Sequence, residues 1–168
     1  MNINEEVYLY IIKKSQSNVN FGKVLFNKIL YFSDFDFYER NEQSITGDSY
    51  VRVTHGPMAS NFEKVIADLK TKKLIEEIHV NRAKGHVQKR YILLSDFTHK
   101  RLKAEETDEI DRNIDRLGGM TASQVSAYSH QDMPFKATEE NEIIDYELVF
   151  YRDPVFSVNS EESDLVEA

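Results

Sequence analysis

Apolar residues at positions 7, 9, 10, 11 and 12 predict a mostly buried first helix over residues 4–14. A second helix is predicted over about residues 21–40, with Asn18 or Asn20 as its cap. Phe21, Leu25, Ile29 and Phe32 form one apolar row at three-to-four spacing, and Val24, Tyr31, Phe35 and Tyr38 form another. Two rows demand burial on more than one side, so this helix belongs at the centre of the core. Residues 44–57, SITGDSYVRVTHGP, break the helical pattern and read as turn, short strand, turn. Gly47 admits positive φ, Tyr50 to Val53 is β-prone, and Gly56-Pro57 redirects the chain.

A third helix is predicted from Ser60 to about residue 73. Ser60 and Glu63 are spaced as a capping box, and Phe62, Val65, Ile66 and Leu69 form a single stripe. Residues 74–80 and 87–94 flank a polar, glycine-containing loop and predict a half-exposed hairpin. Pairing across a loop at 82–85 sets Asn81 opposite His86. A fourth helix is expected over about 97–117, closed by Gly118-Gly119. A short fifth helix opens on the capping box Thr121 to Gln124 and ends near His130. The run 143–151 is apolar but too short for periodicity to separate helix from strand.

The sum is an α+β fold, predominantly α-helical, with about five to six helices and a small antiparallel β-hairpin after the third helix, as in winged-helix folds. One domain is expected over residues 1–156, followed by an acidic, flexible tail at 157–168. The length of 168 residues and 40% hydrophobic content suit one domain with a real core.

Composition narrows the chemistry. The chain has no cysteine, which removes disulfides, thiolate catalysis and Cys-based zinc sites. No apolar run approaches the roughly 18–20 residues of a membrane helix, and the first residues lack the order of a signal peptide. A cytoplasmic protein without membrane attachment is expected. The net charge is −8, yet residues 64–90 hold eight Lys or Arg against Asp68, Glu76 and Glu77. That segment is therefore +5 and the rest −13. The overall field repels nucleic acid and favours a basic partner; the local patch supplies the alternative of a winged-helix nucleic-acid-binding regulator.

No pair among His55, His79, His86, His99 and His130 has metal-ligand spacing, and no metal or cofactor is expected. Ser129 and His130 are neighbours on a helix, so their side chains diverge by about 100° and do not form a nucleophile-base dyad. His130 is better used at the helix end or against Phe135. Asp34 follows the apolar run Leu30-Tyr31-Phe32. If buried it needs donors, which residues 44–50 can supply. Phosphate-binding and nucleophile-elbow glycine motifs are absent, so no enzymatic activity is expected.

Several of these segments together resemble a known family. They are Lys28-Ile-Leu-Tyr-Phe-Ser-Asp34, the Ile45-Thr46-Gly47 turn with Tyr50, and His55-Gly56-Pro57 before the third helix. Further on come the hairpin after Leu74, Ser129-His130, and Ile144-Asp-Tyr146. In order and spacing they resemble the Panacea domain of SocA-like antitoxins and phage-associated proteins, over about residues 5 to 152. Where the family pattern has Trp after Ser-His, this chain has Phe135. The resemblance implies a module that neutralises a cognate toxin, encoded by a neighbouring gene, through direct contact. It also implies a proteolytic adaptor role toward a ClpXP-type protease. It places the partner-binding face near Tyr31, Asp34, Thr46, Gly47, Tyr50, His55, Gly56, Pro57, Ser129 and His130.

Overall fold

Helix α2 (Lys23–Asn41) is the axis on which the other elements are assembled. A computed structural model describes residues 1–159. Leu25, Phe26, Ile29, Leu30, Tyr31, Phe32, Phe35 and Phe37 are all buried, which is the two-row pattern carried into space. Around α2 lie helix α1 (Ile3–Ser15), strands β1 (Tyr50–Val53) and β2 (Gly56–Ala59), and helix α3 (Phe62–Thr71). Then follow strands β3 (Ile75–Asn81) and β4 (Val87–Leu93), and helices α4 (Ala104–Leu117), α5 (Ala122–Ser129) and α6 (Met133–Lys136). Two short 3-10 helices, Ala83–Gly85 and Tyr146–Tyr151, complete the described residues. The fold is α+β and predominantly helical, with two separate antiparallel hairpins. No helix among the described residues is long and apolar enough to cross a membrane.

The extra hairpin is the first departure from the sequence pattern. Gly56-Pro57 was expected only to turn the chain, but β2 begins there, with Val53 opposite Gly56 and Tyr50 opposite Ala59. β1 also accepts a second neighbour. Ile144 N donates to Tyr50 O at 2.8 Å, Arg52 N to Glu142 O at 3.0 Å and Asn141 N to Arg52 O at 2.7 Å. Both edges of β1 are thereby paired, which fixes the short strand more firmly than a two-stranded hairpin could. The apolar run at 143–151 divides accordingly into an extended edge and the 3-10 helix Tyr146–Tyr151.

Helix starts moved where another group claimed the backbone. Helix α2 is capped by Gly22 rather than by Asn18 or Asn20. Ser60 does not cap α3: its amide donates to Ser49 O at 2.8 Å, and Asn61 is the N-cap. The Asp48 carboxylate substitutes, accepting Asn61 N at 3.2 Å and Asn61 Nδ2 at 3.0 Å. Helix α4 starts at Ala104, not near residue 97, because buried Glu6 takes the preceding amides. Its Oε1 accepts Lys100 N, Arg101 N and Leu102 N at 2.9, 2.8 and 3.3 Å. The Thr121 capping box of α5 forms as the spacing implied.

The second hairpin pairs one residue out from the expected register, with Asn81 opposite Val87 and His79 opposite Lys89. The expected tail begins with residues held by Glu39: Ser157 Oγ donates to Oε2 at 2.6 Å, and Val158 N to Oε1 at 3.3 Å. Residues 160–168 of that tail lie outside the described residues.

Candidate functional site

The segment after α2 is folded onto a single carboxylate. Asp34, completely buried, accepts Ile45 N at 2.8 Å and Thr46 N at 2.9 Å through Oδ1. Through Oδ2 it accepts the Thr46 hydroxyl at 2.5 Å and the Tyr50 hydroxyl at 2.6 Å. Thr46 Oγ1 in turn accepts Asp48 N at 3.0 Å, and Gly47 turns the chain outward at φ +73°. Burial pushes the Asp34 pKa up, opposed by the hydrogen bonds from Thr46, Tyr50 and Ile45. Tyr50 is held protonated far above its usual range by burial and by the Asp34 charge. Tyr31 and Phe35 stack at 4.4 Å, Phe35 and Tyr146 at 4.3 Å, and the Tyr146 hydroxyl closes on Asp48 O at 2.6 Å.

The other end of the first hairpin meets the end of α5. Gly56 has φ +111°, and a Cβ there would lie 2.5 Å from Ser129 Oγ and 2.6 Å from Lys28 Cε. No side chain larger than hydrogen fits, so the glycine lets α2 and α5 close on the strand. Ser129 Oγ donates to Ser126 O at 2.8 Å, within its own helix. His130 stacks on Phe135 at 4.7 Å and 19°, while the Arg52 guanidinium lies 4.5 Å from the same ring. Arg52 Nη1 also donates to Thr138 O and Phe135 O at 2.9 and 3.2 Å.

A third cluster joins these ends from below. Arg152, its side chain fully enclosed, reaches Asp36 at 2.8 Å, Asp132 at 2.9 Å and Glu39 at 3.1 Å. Asp132 additionally accepts the Tyr31 hydroxyl at 2.8 Å. Burial works against the guanidinium charge, but Asp36 and Asp132 outweigh it and hold the group well above its ordinary pKa. Sequence reasoning missed this hub. The only local hint was Asp36 and Glu39 at i,i+3 on a helix otherwise apolar on both flanks.

The residues singled out by sequence thus divide into two groups. Tyr31, Asp34, Thr46, Gly47 and Tyr50 belong to the carboxylate-centred strap; His55, Gly56, Pro57, Ser129 and His130 surround the hairpin turn. Gly47 and His55 are exposed, Thr46 and His130 partly so, and Tyr31, Asp34, Tyr50, Gly56, Pro57 and Ser129 are buried. The buried members can act on a partner only by shaping what is outside them. Asp34 is engaged entirely by the strap, and neither histidine is among its hydrogen-bond partners. Among the described residues no group of three or more His, Asp or Glu side chains is placed to hold a metal ion.

Part of the basic segment 64–90 is committed within the fold, while Lys64, Lys73, Lys84 and Lys89 are exposed. Arg82 and Arg90 donate to Val19 O at 3.2 and 2.9 Å, and Arg90 also to Gln16 O at 2.9 Å. Lys72 pairs with Glu5 at 2.6 Å, and Lys70 approaches Glu77 at 3.9 Å. An open cleft of about 770 Å³ lies beside this hairpin, against Val19, Val24 and the start of α5.

The sequence model of the family described as Antitoxin SocA-like, Panacea domain, matches residues 26–136. The matched span runs from α2 through α6 and so contains the strap, the first hairpin and the Ser129-His130 corner. No curated protein and no solved structure matches the chain.

Proposed function

Because this chain belongs to the antitoxin SocA-like family, Panacea domain, we propose that it binds a toxin encoded beside it and neutralises it by direct protein-protein contact in the cytoplasm. The family match over 26–136 is the observation that carries this reading. A net charge of −8 supports it by favouring encounter with a basic partner. The commitment of Ser129 and Asp34 to internal bonds supports a role in binding rather than in catalysis. The partner face consists of two patches at opposite ends of the first hairpin, Thr46 and Gly47 at one and His55 and His130 at the other, with Asp34, Tyr50 and Gly56 holding them in place. Delivery of the bound toxin to a ClpXP-type protease is the finer form of the same proposal.

The test is co-expression with the adjacent open reading frame. The expected result is growth arrest by the neighbour alone, rescue by this chain, and co-purification of the two. A neighbour that is harmless alone, or toxic but neither bound nor neutralised, overturns the proposal. Adaptor action predicts that toxin turnover in rescued cells depends on the protease; equal half-lives with and without it would leave neutralisation standing and remove the adaptor.

A further inference from the structure

Four basic side chains from separate elements gather at the turn of the first hairpin. Lys28 comes from α2, Arg52 from β1, His55 from the turn between β1 and β2, and His130 from the end of α5. The His130 pKa is held down by burial and then by the charges of Lys28, Arg52 and His55, with a backbone hydrogen bond to Thr54 opposing them. Burial alone lowers the Lys28 pKa, to about 7.

Lys28 is 3% exposed, and among the described residues its Nζ has no hydrogen-bond or ion-pair partner but keeps a narrow contact with solvent. His130 Nε2 is buried without a partner. Both atoms are donors when their groups are protonated, and both are left unmatched in a chain of net charge −8, where carboxylates are plentiful. The contrast within the molecule is direct: the equally buried Arg152 is met by three carboxylates. An ammonium on a side chain so enclosed, with no carboxylate beside it and only a narrow contact with solvent, is unfavourable.

The groups also converge. The Cβ position at Gly56 is 3.2 Å from Lys28 Nζ and 2.5 Å from Ser129 Oγ, so the ammonium and the hydroxyl flank one point of the hairpin. Gly56 directly follows Thr54 and His55 in the chain, and both of these are exposed. We propose that this corner is an oxyanion-binding niche, which takes a carboxylate or phosphate group with Lys28 as its charge partner and His130 Nε2 and His55 as further donors. The carboxylate could be presented by a bound protein and the phosphate by a free metabolite; the chemistry recognised is the same. Because binding an anion favours the protonated forms of Lys28 and His130, affinity falls as pH rises from 6 to 8.5. The inference rests on the niche and not on the antitoxin reading, and either can fail alone.

The experiment titrates the full-length protein with inorganic phosphate and, separately, acetate, at constant ionic strength against chloride. Side-chain NMR of Lys28 and His130 is the readout. Saturable shifts are expected with one or both probes and not with chloride. Response to phosphate alone assigns a phosphate group; response to acetate, with or without phosphate, assigns a carboxylate. Lys28→Met is expected to weaken binding at least tenfold while raising Tm. His130→Gln is expected to weaken it less and to flatten its pH dependence. Shifts no larger than those with chloride, or a Lys28→Met protein that titrates like the wild type, overturn the proposal.

Discussion

The Tyr50 hydroxyl donates to Asp34 Oδ2 at 2.6 Å, and this bond ties the middle of the central helix to the first residue of the first hairpin. Two amides and the Thr46 hydroxyl share the same carboxylate. Four donors on one buried group make it the nucleus of the turn, since each donor left unmatched in the interior is unfavourable by about 1–3 kcal/mol. Asp34→Ala is therefore expected to destabilise the protein by about 3 kcal/mol or more, read from urea denaturation. Asp34→Asn keeps one acceptor oxygen and is expected to lose less. Equal stability of Asp34→Ala and wild type would remove the carboxylate from its structural role.

The two turn glycines should behave differently although both have positive φ. Nothing lies within 4 Å of a Cβ at Gly47, so Gly47→Ala meets only backbone strain, about 1–2 kcal/mol. At Gly56 the same change also forces a Cβ to 2.5 Å from Ser129 Oγ and 2.6 Å from Lys28 Cε. Strain and overpacking together should amount to about 3 kcal/mol or more. Thermal unfolding of the two variants side by side checks the order; a reversed order would mean that α5 gives way without effort.

Arg152 lies beyond the family-matched span yet neutralises Asp36, Glu39 and Asp132 inside the core. Removing one partner of a buried ionic cluster is more damaging than removing the cluster. Arg152→Met is expected to lower stability by about 3–5 kcal/mol. Adding Asp132→Asn to that variant should restore part of the loss, because one of the stranded charges goes with it. A double mutant less stable than Arg152→Met would contradict that account.

Much of this frame is legible in the sequence because it follows from periodicity. The double apolar row of α2 and the single stripe of α3 have no competing interpretation, and the Thr121 box marks α5 directly. Asp34 also declares itself: a carboxylate inside an apolar run needs donors, and residues 44–50 can supply them, though the sequence does not choose among Ser44, Thr46, Ser49 and Tyr50. What stays hidden depends on residues far apart in the chain. Glu6 captures amides at 100–102 and so delays α4; Asp48 holds Asn61, which replaces Ser60 as the N-cap of α3. Asp132 and Arg152 carry no mark of their meeting with Asp36. Lys28 is the sharpest case, since a single lysine in a helix ordinarily faces water, and only the packing of Gly56 and Ser129 over it reveals otherwise. β2 is masked because Gly56-Pro57 signals a turn and gives no sign that the chain then pairs with β1.

The second hairpin is not expected to read nucleic acid. Its arginines Arg82 and Arg90 are turned onto the carbonyls of Val19 and Gln16, and Lys72 is paired with Glu5. Lys64, Lys73, Lys84 and Lys89 remain exposed, and the net charge of −8 opposes their contacts with phosphates. Fluorescence anisotropy with duplex DNA near about 50 mM salt should show no saturable binding, where a protein making several phosphate contacts binds well. Tight binding that falls steeply with salt would restore the winged-helix reading.

Lys28 gives the stability of this protein a definite pH signature. Its folded pKa of about 7 lies below the ordinary value of 10.5, so between those two pH values the unfolded chain binds the additional proton. The penalty for burying the ammonium is therefore fully present below about pH 7 and is relieved as pH rises toward 10.5. Lys28→Met, which carries no charge to bury, should exceed the wild type most at pH 6. One pKa unit corresponds to about 1.4 kcal/mol, so its advantage should shrink by about 2–3 kcal/mol between pH 7 and 9. Comparing the two proteins at each pH cancels titrations that Lys28 does not influence; that of His130, which the Lys28 charge lowers, does not cancel but lies below the pH 7–9 window. A difference that stays constant over that range would mean that Lys28 is solvated or paired in solution, and with it the unpaired ammonium that defines the niche would be gone.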